Sequence, residues 1–243
     1  MNSDPNAWVE PETAADRIKE IFGNKEKHTP FAPVYSIPFW NSQILIEQEA
    51  EYLTKTILDK EESIIRLNPH LMYDGGTGLG PDSLTAKFPA YNILKWDDYD
   101  ENYVVRKLKI ELHYAIAELC HHVGANVMDI KPWAQCWANV MRKGQKINPH
   151  QHSGDGWSFL SGNLSLQVNN TSTVYQDPYT MNSAALENEV GTLTLFPEYI
   201  VHWTTEHQSD VERVTLGIDI LTEESLYNAP DRKRNPDHFF RLY

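Results

Sequence analysis

The second half of the chain contains runs in which polar and apolar side chains alternate strictly, and this pattern limits the fold more than any other feature. In residues 161–168 one face carries Ser161, Asn163, Ser165 and Gln167, and the other carries Gly162, Leu164, Leu166 and Val168. In residues 213–220 Arg213, Thr215, Gly217 and Asp219 oppose Val214, Leu216, Ile218 and Ile220. Residues 136–141 separate Trp137, Asn139 and Met141 from Cys136, Ala138 and Val140. Successive side chains on a strand point to opposite faces, so each run has one apolar face that must be packed. Gly, Pro, Asn and Asp clusters between the runs mark them as short antiparallel strands. In a sandwich the polar faces would meet solvent. In a double-stranded β-helix (jelly-roll barrel) they line a wet interior while the apolar faces pack outward on helices.

The first half supplies such helices, which favours the second architecture. Ile46, Ala50, Leu53 and Ile57 recur at spacings of 4, 3 and 4. Val105, Leu108, Leu112, Ala115 and Leu119 recur at 3, 4, 3 and 4 within a helix expected over residues 101–123. Asp97, Asp98, Asp100 and Glu101 sit at its N-terminal end, where the helix dipole favours negative charge, and Gly124 stops it. His121 and His122 fall in its last turn, a capping position. A shorter helix is expected over residues 13–22, with Gly23 as its stop. Residues 68–82 read as a loop, because the glycine-rich run 74–80 cannot hold regular structure cheaply; it lacks the Lys-Ser/Thr of a phosphate loop. The class is α+β. The expected layout is a peripheral segment 1–35 and a domain 36–243, comprising helical support 36–130, a jelly-roll core 131–222 and a tail 223–243. Phe239, Phe240, Leu242 and Tyr243 tie that tail to the body or to a second subunit, so a homodimer is one expectation.

Charge narrows the partners. Against 34 Asp and Glu stand 21 Lys and Arg, a formal net charge of −13. That disfavours duplex nucleic acid and anionic membranes, which need a basic face; Arg232-Lys233-Arg234 is only a local basic spot. No apolar run approaches the ~18 residues of a membrane span, and the first residues lack a signal peptide's pattern. Two cysteines, Cys120 and Cys136, are too few for a disulfide scaffold, so a cytoplasmic setting is expected.

Of ten histidines, three are placed informatively. His150 and His152, two apart on an extended segment, present two imidazoles to one side. Asp155 follows a glycine and can fold its carboxylate back. Fifty residues after His152, His202 follows a strand and a turn, and Arg213 opens the strand that also carries Thr215. Non-haem iron(II) takes two imidazoles and usually a carboxylate on one face, leaving the opposite face open. An arginine can pair a carboxylate cosubstrate, and a neighbouring hydroxyl adds a hydrogen bond.

From about Val34 to Ile220 the chain resembles the 2-oxoglutarate/iron(II)-dependent oxygenases related to prolyl hydroxylases, found in bacteria and marine phages. The resemblance rests on Phe31-Ala32-Pro33-Val34-Tyr35, Trp137-Ala138-Asn139-Val140, Gly144, Asn148-Pro149-His150-Gln151-His152, Ser161-Gly162, Gly191-Thr192-Leu193-Thr194-Leu195-Phe196-Pro197, His202 and Glu212-Arg213-Val214-Thr215. It implies His150 and His202 as metal ligands, Arg213 as the partner of the distal carboxylate of 2-oxoglutarate, and Thr215 in the hydroxyl position of an Arg-x-Ser motif. The cofactors implied are Fe(II), 2-oxoglutarate and O2.

Two departures from the family pattern stand out. The superfamily's carboxylate position holds His152, so the metal set is His150, His152 and His202, with Asp155 as an alternative acid. The strand after Ser161-Gly162 lacks the usual cosubstrate-binding tyrosine, which leaves Asn163, Ser165 or Gln167 to replace that contact. Asn139 and Asn163 join Arg213 and Thr215 as candidate cosubstrate contacts. Trp157 and Phe159, in the loop 153–159, are candidates for a lid or substrate platform, or for a packed anchor. The expected activity is hydroxylation of an unidentified protein side chain or small molecule. The rivals are a non-catalytic jelly-roll binding module and a three-histidine metal enzyme that does not use 2-oxoglutarate.

Overall fold

The computed structural model describes residues 14–96, 102–152, 159–228 and 235–243. Its strands form two antiparallel sheets. The large sheet has the order β1 (Ile18–Asn24), β2 (Tyr35–Gln43), β7 (Thr192–Pro197), β4 (Leu160–Gln167), β9 (Arg213–Leu221), β3 (Trp133–Met141), β10 (Phe240–Arg241). The small sheet has the order β6 (Ser183–Glu187), β5 (Ser172–Gln176), β8 (His202–Thr204). Besides α1 (Ala14–Arg17), the helices are α2 (Glu47–Leu67), α3 (Tyr103–His122), α4 (Val127–Ile130) and α5 (Glu223–Asn228).

The alternation in the sequence decides which way each strand faces. Val214, Leu216, Ile218 and Ile220 of β9, with Ala134, Cys136, Ala138 and Val140 of β3, are buried in one core with Leu53 and Ile57 of α2 and Leu108 and Leu112 of α3. At roughly 25 cal/mol per Å² of apolar surface removed from water, this helix-on-sheet layer is the main stabilising contact. The opposite, polar face does not meet solvent. Ser161, Ser165, Arg213 and Thr215 are all buried. Asn163 Nδ2 donates to the Tyr175 hydroxyl on β5 at 2.8 Å, and Arg213 Nε donates to Thr171 Oγ1 at 2.9 Å, across to the small-sheet side. The polar faces therefore point at the small sheet rather than at solvent.

One end of the space between the sheets is filled. Phe39 and Phe196 stack with centroids 5.7 Å apart, and Tyr175 packs edge-on to both. Phe22, Ile37 and Ile200 complete this cluster. Beside β8, residues 144–152 run antiparallel to residues 198–207, with His150 and His202 exchanging both backbone hydrogen bonds at 3.1 and 2.9 Å.

The helix expected over residues 13–22 is only the single turn α1, and residues 18–24 form β1 instead. Ile18 and Phe22 suit a helix face by spacing, but β2 offers a sheet edge that satisfies the β1 backbone, and Phe22 enters the inter-sheet cluster. Gly23 is a strand position: a Cβ there would lie 3.1 Å from the Tyr35 carbonyl oxygen. Both long helices form as expected, α3 with the Asn102 side chain accepting from Val105 N and His121 and His122 in its last turn. The acidic cluster 97–101 and the basic spot 232–234 lie outside the described residues. The tail docks on the body: Phe239 is buried against Leu221 and Leu226, and Tyr243 stacks on His113 at 3.8 Å. Among the described residues no helix is long and apolar enough to cross a membrane.

Candidate metal centre

The paired segments place His150 and His202 side by side, and two residues further on His152 turns to the same point. The ring centroids are 4.4 Å apart for His150 and His202, and 5.2 Å for each of the pairs with His152. One ring nitrogen from each residue lies within 4.8 Å of the other two.

The other nitrogen of each ring is engaged. His150 Nδ1 meets the Asn148 carbonyl oxygen at 2.9 Å, and His202 Nδ1 meets the Ile200 carbonyl oxygen at 3.0 Å. His152 Nδ1 is held by the Asp219 carboxylate of β9. A carbonyl oxygen can only accept, so Nδ1 of His150 and of His202 must carry the proton, and the Nε2 lone pairs are left to converge. Burial, aided by its neighbour His152, pushes the His150 pKa down to about 4, and burial holds His202 well below the usual imidazole value. Imidazoles with one nitrogen held by a carbonyl or carboxylate oxygen and the other turned toward a common point are the donor set that divalent transition metals take. The chain therefore fits a metal ion at this point. Asp155, the alternative acid, lies outside the described residues, as does Trp157.

Deeper between the sheets lies Arg213. Its side chain is almost entirely buried, with Nη1 3.3 Å from Thr215 Oγ1 and 3.7 Å from Met141 Sδ. Burial brings its pKa down to about 10, and the Tyr175 hydroxyl opposes that shift. No carboxylate among the described residues pairs with it. A buried guanidinium without an anion is costly unless a ligand supplies one. Asn139, Asn163 and Thr215 line the same inner cavity as His202 and Arg213. Asn139 Oδ1 accepts from Thr85 Oγ1 at 2.7 Å.

Outside the histidines opens a pocket of about 550 Å³ whose walls include Tyr73, Phe88, Gln135, Trp137, Asn235 and Phe239, with His150 and His152 also on its surface. Phe159 is a packed anchor rather than a lid: it lies against the main core, and its backbone N–H donates to Glu198 Oε2 at 3.1 Å.

Two residues escape a reading of the sequence for function. Asp219 appears there only as one more polar residue on its strand. Tyr175 brings an aromatic hydroxyl into the interior from β5 rather than β4, beside Asn163, where the strand after Ser161-Gly162 lacks one. The alternation of Thr173 and Tyr175 in the short β5 is the sole sequence signal for it.

No family model matches the chain, and no curated protein matches it in sequence. Solved structures do match. A Pseudomonas putida prolyl-4-hydroxylase superposes with a TM-score of 0.52 at 10% identity, covering 76% of this chain and 92% of that one. The non-heme alpha-ketoglutarate-dependent epimerase SnoN from nogalamycin biosynthesis gives a TM-score of 0.49 at 14% identity over 84% of this chain and 93% of that one. A viral collagen prolyl hydroxylase from Paramecium Bursaria Chlorella virus-1 gives 0.47 at 13% identity over 76% and 89%. The chain shares the fold of the prolyl-4-hydroxylase.

Proposed function

We propose that this chain is a non-haem iron(II) and 2-oxoglutarate-dependent oxygenase, with residues 36–243 as the oxygenase unit and a cytoplasmic setting that keeps iron reduced. The observation that carries the reading is the pairing of two unusual features in one cavity. Three converging imidazoles have their outer nitrogens already engaged, and beside them lies a buried Arg213 with no acidic partner among the described residues. His150, His152 and His202 hold the metal through Nε2. Iron(II) bound there supplies oxygen activation coupled to the oxidative decarboxylation of 2-oxoglutarate to succinate and carbon dioxide.

The chain's own residues do the rest. Arg213 pairs the distal carboxylate of 2-oxoglutarate, and the Thr215 hydroxyl adds a hydrogen bond. Asn139 and Asn163 line the cavity that receives it. The aromatic walls of the outer pocket hold the substrate against the metal face and keep bulk water out. Hydroxylation of a protein side chain or small molecule is the reaction this arrangement suits, and the −13 net charge disfavours duplex nucleic acid as the substrate.

A three-histidine enzyme without 2-oxoglutarate is the second reading, favoured by the all-histidine set gathered among the described residues. Anaerobic titration of the apo-protein with Fe(II) and then 2-oxoglutarate separates the two. The oxygenase gives a visible metal-to-ligand charge-transfer band that Arg213→Ala weakens. Metal binding with no such band, indifferent to Arg213→Ala, leaves the second reading.

A further inference from the structure

Trp137 stands at the partition between the inner cavity and the outer pocket and lines both. Its ring lies 5.5 Å from Phe88 on the pocket side and 5.8 Å from the His152 imidazole. The indole is 7% exposed, and its Nε1 is buried with no acceptor among the described residues. An N–H group buried without a partner is rare, because it has given up water for nothing.

Trp137 faces Gly217 in register across β3 and β9. A Cβ added at Gly217 would lie 2.7 Å from Cε2 and Cζ2 of the indole and 2.9 Å from Nε1. The glycine therefore makes room for the nitrogen edge of the ring on the floor of the inner cavity, on the same strand face as Arg213 and Thr215. The other donors there are partly committed: Asn163 Nδ2 serves Tyr175, and Arg213 Nε serves Thr171.

We infer that the Trp137 indole N–H is a positioning donor for the anion held by Arg213, giving a hydrogen bond to one of its oxygens. The inference rests on the oxygenase reading, with 2-oxoglutarate as that anion. It assigns the donor role to an indole on β3, where the family pattern leads one to look for a tyrosine on β4. It also explains why β9 carries glycine at position 217, between two polar side chains of the same face.

The test uses the full chain, labelled with nitrogen-15 and loaded with diamagnetic Zn(II), and titrated with 2-oxoglutarate. The Trp137 indole signal is identified by its loss in Trp137→Phe, or by through-bond assignment of the wild type if that variant does not fold. The expected result is a saturable downfield shift of this indole proton. Trp137→Phe is expected to bind 2-oxoglutarate about ten-fold more weakly at unchanged Zn(II) affinity. If 2-oxoglutarate binds the wild type, as shifts elsewhere report, while the Trp137 indole proton stays in place, the inference is overturned and the oxygenase reading stands. If 2-oxoglutarate shifts no signal at all, the oxygenase reading falls and takes this inference with it.

Discussion

Asp219, on the polar face of β9, holds the Nδ1 atom of His152, so a strand of the large sheet fixes the ring on a segment that otherwise belongs with the small sheet. Ser161 Oγ donates to the same carboxylate at 3.4 Å and steadies it. A carboxylate behind a metal-binding imidazole sets the tautomer and makes the ring a better donor. Asp219→Ala is expected to weaken Zn(II) or Fe(II) binding by about 10- to 100-fold, and Asp219→Asn by less, because the amide oxygen can still accept. Calorimetric metal titration measures both. Equal affinity in wild type and Asp219→Ala would remove Asp219 from the site.

Gly78 reaches the site through Asn148. Its φ is +80°, and an added Cβ would lie 2.2 Å from Asn148 Nδ2. Asn148 is also tied to this loop by its N–H, 2.8 Å from the Thr77 carbonyl oxygen, and its own carbonyl oxygen orients His150. A Cβ added at Gly76, whose φ is +82°, would meet nothing within 4 Å. Gly76→Ala should therefore cost only the left-handed backbone penalty, about 1–2 kcal/mol. Gly78→Ala should cost about 1–3 kcal/mol more through overpacking and should also weaken metal binding. Urea melts of the two apo-variants give the comparison, and equal melts would show that the Asn148 contact yields freely.

Arg213→Met separates folding from function. The methionine keeps most of the side-chain volume and removes a buried charge, at the loss of hydrogen bonds to Thr171 and Thr215. The apo-variant is expected to lose no more than about 1 kcal/mol, since relief of the buried charge offsets those bonds. The rise in Tm that 2-oxoglutarate gives the metal-loaded wild type should vanish. A variant that unfolds outright would assign Arg213 to structure, and one still protected by 2-oxoglutarate would place the anion elsewhere.

How much of this was legible beforehand follows from the range of each interaction. The faces of β3, β4 and β9 could be read because a strand's period is local, and so could the pairing of His150 with His152, only two residues apart. The apolar stripes of α2 and α3 were equally plain. Contacts across the sheets were not. Asp219 and His152 are 67 residues apart, Arg213 and Thr171 are 42 apart, and neither member of either pair carries a local sign of the other. The stretch beginning at Thr13 went wrong for a related reason. Its Ile18 and Phe22 fit a helix or a strand, and only the edge of β2, supplied by residues well downstream, chooses between them.

Acid should loosen the rim of the outer pocket before it unfolds the protein. The Asp74 carboxylate accepts hydrogen bonds from the backbone of Gly80 at 2.9 Å and of Gly76 at 3.1 Å, gathering the glycine-rich loop around itself. Partial burial pushes its pKa up, but these amides, with Gly78 and the Thr77 hydroxyl, outweigh burial and leave it below the ordinary aspartate value. The folded-state pKa is thus the lower of the two. Its contribution is complete above the unfolded-state value near 3.8 and is lost as the pH falls below that value through the folded one. Asp74→Asn cannot titrate, so its stability should fall less than that of the wild type as the pH drops below 3.8, although it starts lower at neutral pH. Hydrogen exchange of the Gly76 and Gly80 amides reports the loop directly. Protection in the wild type is expected to drop in that acid range while the β9 amides remain protected. Loss of both together would mean that the Asp74 loop opens only with the whole fold.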